Sequence, residues 1–359
     1  MTKPFLPPIN EYLYNLEKIW ESNILTNMGP LHVDLERELC SRFGCENVAL
    51  FTNGHLALEI ALKALNLEPG SEIITTPFTF VSTISSIVNQ GHIPVFCDID
   101  DDCTIDVDQI EALITPKTAA ILPVHVYGFP CDVERIDEIA RKHRLKVLYD
   151  AAHAFGVRVN GKDISQFGDI SMFSFHATKL FHTIEGGALI FADSALKTNI
   201  DLYKNFGISG PETIELVGLN AKMNEFQAAM GLTVLPYLDE IIEQRKTIFE
   251  RYMQNLDNIQ GVSIFPCQDK NIDYNYAYVP ILITTKRNEV FDVLAANNIH
   301  ARKYFYPSLT KVECYRQYMR NNSTRKAETI TEQVLALPIY PSLTFEQVDR
   351  VCRTIQEAI

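Results

Sequence analysis

Between residues 47 and 150 the chain alternates short apolar runs with longer stretches whose apolar positions recur every three or four residues. Asn47–Phe51, Glu72–Thr75, Pro94–Ile99, Ala119–His125 and Lys146–Tyr149 read as strands. Leu56–Leu65, Phe80–Asn89, Val107–Ile114 and Val133–His143 read as the helices between them. The strands are apolar almost throughout, the pattern of a sheet covered by helices on both faces. Repeated strand–helix units predict parallel strands with right-handed crossovers. Upstream, Glu11–Trp20 and Val33–Phe43 read as helices joined by the loop Leu25–Pro30, an arm suited to covering a partner subunit or its own chain. Downstream, Ile170–His176 and Leu189–Ala192 read as strands, and Ala221 to about Leu256 as one long helical stretch. The last third changes character: Ala277–Thr284 alternates like a strand with one exposed face, and Glu289–Asn297 and Phe345–Ala358 read as helices. The expected fold is α/β, with a large, mostly parallel sheet unit over residues 1–244 and a smaller α+β unit over 245–359.

Bulk properties narrow the function. At 359 residues the chain is long enough for two packed domains, and 47% hydrophobic with 21% charged residues is ordinary for a globular protein. A formal net charge of −13 with scattered lysines and arginines argues against a nucleic-acid partner. Eight cysteines without a CxxC pair or Cys/His ligand spacing read as reduced thiols, with neither a disulfide frame nor a metal site. No apolar stretch is long enough to span a bilayer, and the first residues carry no signal-peptide pattern, so a cytoplasmic protein is expected.

Candidate chemistry gathers at strand ends. Lys179 follows the run Ile170–His176 and precedes the turn Glu185-Gly186-Gly187. A lysine just past a buried strand, partly desolvated, can lose its proton and attack a carbonyl; the alternative is an ordinary solvated loop lysine. Asp150 ends the strand Lys146–Tyr149, where open parallel sheets bind ligands; its alternative is a helix N-cap. Acid and lysine on one sheet edge suggest pyridoxal phosphate, with Lys179 holding the aldehyde as a Schiff base and Asp150 keeping the pyridine nitrogen protonated. Gly54 and His55, in Thr52-Asn53-Gly54-His55, lie where a strand meets a helix N-terminus, a ready phosphate site. Ser174 is placed to donate a hydroxyl to the same phosphate. Phe80 is a candidate to stack on the ring, and His153 to cover it or bond its phenolic oxygen. Each of these is also a common core or turn residue; their chain order, each after a predicted strand, is the specific signal.

Asp150-Ala-Ala-His153, Phe173-Ser-Phe-His-Ala-Thr-Lys179, Glu185-Gly-Gly187, Gly218-Leu-Asn-Ala-Lys-Met223 with Gln227-Ala-Ala229, and Leu337-Pro-Ile-Tyr340 together resemble the pyridoxal phosphate-dependent nucleotide-sugar aminotransferases of DegT/DnrJ/StrS type. The resemblance covers essentially the whole chain. It implies the fold-type I aminotransferase architecture and a homodimer with two shared active sites. It assigns Lys179 to the cofactor aldehyde, Asp150 to the pyridine nitrogen and Phe80 to the ring face. It assigns His153 to the 3′ oxygen, and Ser174 with the backbone at Gly54 and His55 to the phosphate. Asn220 would reach the phosphate of the neighbouring subunit's cofactor. Two departures stand out. His55 occupies a position where the family carries a small residue, and Tyr306-Pro-Ser-Leu-Thr310 replaces a Pro-Leu-His segment.

The implied reaction takes an amino group from L-glutamate, releases 2-oxoglutarate, and aminates a ketone on a nucleotide-linked hexose. His176 after Phe173-Ser-Phe175 matches the 4-aminating branch, so a dTDP-4-keto-6-deoxyglucose acceptor and a dTDP-4-amino-4,6-dideoxyglucose product for surface polysaccharide are implied. The alternatives are a C3-specific nucleotide-sugar aminotransferase or a non-catalytic binding or regulatory relative. Sugar dehydratases of this fold carry His in place of the lysine, and Lys179 argues against that reading.

Overall fold

The computed structural model describes residues 3–265, 271–318 and 323–359. Its centre is a sheet of seven strands, in the order β1 (Asn47–Phe51), β9 (Gly187–Phe191), β8 (Ile170–Ser174), β5 (Lys146–Asp150), β4 (Thr118–Leu122), β2 (Glu72–Thr75) and β3 (Ile93–Phe96). The numbers β6 (Arg158–Val159) and β7 (Lys162–Asp163) belong to a small hairpin beside it. Helices α3 (Gly54–Ala64), α4 (Val81–Asn89), α5 (Val107–Leu113) and α6 (Val133–His143) fill the crossovers, as the periodicity predicts.

The sheet is mostly parallel, as expected, with one exception that the strand–helix alternation does not predict. β9 runs antiparallel to both β1 and β8. A parallel neighbour needs a crossover, usually a helix, and the segment after Ser174 contains none, so the chain turns straight back. Lys179 lies in that turn. The strand Ile170–His176 correspondingly stops at Ser174, and Ala119–His125 stops at Leu122.

Ahead of β1 stand helices α1 (Ile9–Ser22) and α2 (Pro30–Phe43), and after β9 come α7 (Ala195–Lys204), α8 (Glu225–Val234) and α9 (Leu238–Leu256). α2 starts earlier than Val33 because Pro30 suits the first turn, where its missing N–H costs nothing. The open N–H groups of Leu31 and His32 donate to the buried Glu225 carboxylate at 2.8 and 2.9 Å. The long stretch from Ala221 is not one helix: it is broken between α8 and α9 by a 3-10 turn, Leu235–Tyr237, around Pro236.

Behind β1, Glu36 of α2 meets His32 at 3.3 Å and the buried Lys204 at 3.6 Å, and accepts from the Leu50 N–H at 3.3 Å. Burial pushes the Glu36 carboxyl up, but the His32 hydrogen bond and the ammonium groups of Lys204 and Lys197 outweigh it and hold the group at about 2, against an ordinary 4.5. A depressed carboxyl contributes stability above its unfolded value that is lost as pH falls toward the folded one. Glu36→Gln is therefore expected to cost about 3 kcal/mol at pH 7, and the gap from wild type to close as pH drops from 5 toward 2, read by denaturant titration.

A second, antiparallel sheet pairs Val262–Ile264 with Val279–Ile283 and that strand with Val334–Leu337. The run Ala277–Thr284, whose alternation predicts a strand with one exposed face, supplies Val279–Ile283 as the middle strand, buried except for Leu282. Its core is continuous with Phe78, Val126, Tyr127 and Phe129, at the carboxyl ends of β2 and β4, so both its faces are covered. The strand Val334–Leu337 escaped the sequence reading. Asp98, beyond β3, ties the two sheets by accepting from the N–H groups of Lys326 and Ala327 (2.9 and 2.8 Å) at the start of the helix Arg325–Gln333.

Candidate active site

The carboxyl ends of β1, β2, β5 and β8 open on a cavity of about 330 Å3. Gly54, His55, Phe80, Asp150, His153, Ser174 and Lys179 all line it, so seven residues scattered over the sequence meet at one place. Asn220 does not: it is exposed, paired across an isolated bridge with Asn205, outside the lining of its own chain's cavity.

Asp150 is the last residue of β5 and is buried. The Thr83 hydroxyl donates to its Oδ2 at 2.7 Å and the Ala152 N–H to its Oδ1 at 3.2 Å. Burial pushes its carboxyl up; Thr83, Ala152 and the Lys179 ammonium partly offset this. A buried carboxylate held by neutral donors beside a cavity is suited to a cationic ring nitrogen.

His153 is buried as well, and the Tyr127 N–H donates to its Nδ1 at 3.1 Å. The ring proton therefore sits on Nε2, which faces the Tyr304 hydroxyl at 3.4 Å. Burial, reinforced by the Lys179 ammonium, pushes this imidazole well below the usual range, so it is neutral. It stacks nearly parallel to Phe305, with centroids 5.9 Å apart. Phe80 caps the start of α4 and is 53% exposed, an unusual exposure for Phe next to a cavity wall that a ligand would cover.

Lys179 is half-buried in the turn between β8 and β9, its N–H bonded to the His176 carbonyl at 2.8 Å. That turn is pinned by Phe175 N–H to Gly186 O (2.9 Å) and Ala177 N–H to Ile184 O (2.7 Å). The Gln227 amide on α8 donates both to the Glu185 carbonyl (2.6 Å) and to the Thr52 carbonyl (3.2 Å), so one side chain joins the lysine turn to the turn before α3.

At α3, the Asn53 side chain accepts from the Leu56 N–H at 2.9 Å, leaving the N–H groups of Gly54 and His55 at the open end of the helix. Glycine is needed here for close approach. A Cβ on Gly54 would lie 3.3 Å from the Ser174 Cα, and a Cβ on Gly187 of β9 would lie 2.7 Å from the Gly54 backbone. Gly187→Ala is thus expected to push the 53–55 turn away, costing about 1–3 kcal/mol and weakening phosphate-ligand binding; thermal melts with and without ligand check both.

Sequence reasoning missed Thr83, Ser82, Arg302, Tyr304 and Phe305, which also line or support the cavity. Thr83 had a signal, since it lies three positions beyond Phe80 at the start of a predicted helix. Arg302, Tyr304 and Phe305 lie between two strands of the second sheet and had none. The set as a whole joins an anion cradle, a ring-sized slot, a buried acid and a lysine, which fits a phosphorylated heteroaromatic aldehyde.

Residues 9–356 match the DegT/DnrJ/EryC1/StrS aminotransferase family. A dTDP-4-amino-4,6-dideoxy-D-glucose transaminase of Shigella dysenteriae is 42% identical over 362 residues, covering 99% of this chain and 98% of its own. A protein of the same name from Escherichia coli is 42% identical over 363 residues, covering 99% and 97%. Among solved structures, DesI in the presence of its TDP-sugar product superposes with a TM-score of 0.93 at 32% identity, covering 99% of this chain and 91% of that one. Helicobacter pylori PseC, an aminotransferase involved in the biosynthesis of pseudoaminic acid, superposes with a TM-score of 0.93 at 27% identity, covering 99% and 98%. The folded α/β architecture, the match along nearly the whole length and the 42% identities lead to one statement: this chain belongs to the DegT/DnrJ/EryC1/StrS aminotransferase family.

Proposed function

We propose that this protein binds pyridoxal 5′-phosphate and transfers the amino group of L-glutamate to the C4 ketone of dTDP-4-keto-6-deoxyglucose, giving dTDP-4-amino-4,6-dideoxyglucose. The observation that carries the reading is the meeting of Lys179 and the buried Asp150 in one cavity, in a chain 42% identical to relatives named for that transamination. Pyridoxal phosphate, when bound, supplies an aldehyde that takes up amino groups and a protonated pyridine that accepts electrons.

The protein's own groups do the rest. The N–H groups of Gly54 and His55 and the Ser174 hydroxyl hold the phosphate. Phe80 covers one ring face. Asp150 keeps the ring nitrogen protonated, and its burial strengthens that pairing. Neutral His153 donates from Nε2 toward the ring oxygen. Lys179 Nζ would hold the aldehyde, and as a free amine would carry the proton from the donor's α-carbon.

A homodimer with shared sites belongs to the same reading. Leu6, Ile9 and Trp20 of the N-terminal arm and Ile214 and Val217 near Asn220 are exposed apolar side chains that a second copy would cover. Asn220, exposed and outside the lining of its own cavity, is then available to the partner's phosphate. The division of the chain at 244/245 and a cytoplasmic location complete the proposal; no helix among the described residues is long and apolar enough to cross a membrane.

The test is a glutamate-driven assay on dTDP-4-keto-6-deoxyglucose and its 3-keto isomer, with the product identified by mass and NMR. The 4-amino sugar is expected. Exclusive use of the 3-keto sugar replaces this reading with the C3 aminotransferase, and protein that stays colourless with added pyridoxal phosphate replaces it with a non-catalytic relative.

A further inference from the structure

His55 does more than present its backbone to the cavity. Its ring spans two helices: Nδ1 lies 2.8 Å from the Ser82 hydroxyl on α4, and Nε2 lies 3.3 Å from Glu59 Oε1, one turn along α3. Glu59 is buried and accepts from the Asn89 amide at 2.6 Å. The His55 hydrogen bond is the leading cause holding the Glu59 carboxyl below its ordinary range, so Glu59 is an anion. His55 and Ser82 both line the cavity.

Hydrogen-bond arithmetic then links the ring's proton to Ser82. A neutral imidazole that donates from Nε2 to Glu59 has only an acceptor at Nδ1, and the single Ser82 proton is used on it. An imidazolium donates from Nδ1 to the Ser82 oxygen, which frees the hydroxyl proton for a ligand in the cavity. An anion there favours the second arrangement twice, through the added charge and through the freed donor. We propose that Asn89, Glu59, His55 and Ser82 form a proton-linked relay. On binding a phosphate monoester, His55 takes a proton from solvent and Ser82 becomes a phosphate donor. The inference rests on the cofactor reading above.

The electrostatic surroundings suit this role. α4, β1, β8 and β9 carry no charged side chain toward the ring. On α3 the charged groups are Glu59 and Lys63, and the charges of α7 (Lys197, Asp201, Lys204) are engaged with one another and with Glu36 behind β1. Across the cavity stand Asp150, His153, His176, Lys179, Glu185 and Arg302, which are common to wild type and variants and cancel in a comparison between them.

The experiment is calorimetric titration of the cofactor-free full chain with pyridoxal 5′-phosphate at pH 7.5, in two buffers of different ionisation enthalpy. Wild type is expected to take up more protons than His55→Asn or Ser82→Ala, by up to one per site. Its Kd should also rise more steeply between pH 6 and 8.5, by up to tenfold per pH unit relative to His55→Asn. Pyridoxal without its phosphate should show no such difference. Equal proton counts and parallel pH profiles in wild type and both variants, with the bound chromophore present, overturn the relay and leave the cofactor reading standing. A wild type that forms no chromophore overturns both.

Discussion

Lys179→Ala is expected to retain its fold and lose turnover by about ten-thousand-fold, the scale of removing a group that both holds the reactive carbonyl and moves the proton. Lys179 is half-buried, in a turn and not among the buried core residues, so melting temperature should stay close to wild type. Circular dichroism and glutamate-dependent turnover separate the two effects. Borohydride reduction of the wild-type holoenzyme should attach a pyridoxyl group to the peptide containing Lys179 and to no other. Label on a different lysine, or substantial turnover in the variant, removes the central assignment. A lysine elsewhere in the lining is not available as a substitute, because Lys179 is the only one there among the described residues.

Asp150→Asn comes next in size. The amide keeps the shape of the carboxylate and can still pair with Thr83 and Ala152, so the protein should fold. It cannot hold a positive charge on the ring nitrogen. Removing one partner of a buried charge pair costs about 3–5 kcal/mol, and about 1.4 kcal/mol is one decade in rate, so kcat should fall by roughly two to three and a half decades. The bound chromophore should persist with a shifted absorption maximum, because the ring nitrogen loses its proton. A variant with wild-type spectrum and rate would place the acid outside the chemistry. Burial makes the effect large: in a solvated site, water would take over much of the pairing.

The neighbouring groups show why these two residues work together. His153 is kept neutral by burial and by the same ammonium that faces Asp150, so Lys179, Asp150 and His153 stand together as a basic amine, an acid and a neutral donor. That separation of roles within a small volume is how a site assigns proton donors and acceptors at neutral pH.

Much of this arrangement was readable from residue order. The apolar runs of β1 to β5 and the helices between them follow from backbone periodicity, which is a local property: a buried strand must be apolar, and a covering helix must be apolar on one stripe. Strand ends then mark the ligand edge, which is why residue order alone puts Gly54, Phe80, Asp150, Ser174 and Lys179 on one side. The reversal of β9 was not readable from its apolar run, because strand direction leaves no trace in hydrophobicity. Nor was the bend between α8 and α9 inferred, although Pro236 marks it. The burial of Val279–Ile283 on both faces depends on Tyr127 and Phe129 arriving from beyond β4 of the seven-stranded sheet. The Gln227 clamp, the Thr83 bond to Asp150 and the partners of His55 join residues far apart in the chain. Such contacts arise only when elements pack, since a side chain's type says what it can bond but not which distant group will be within three ångströms of it.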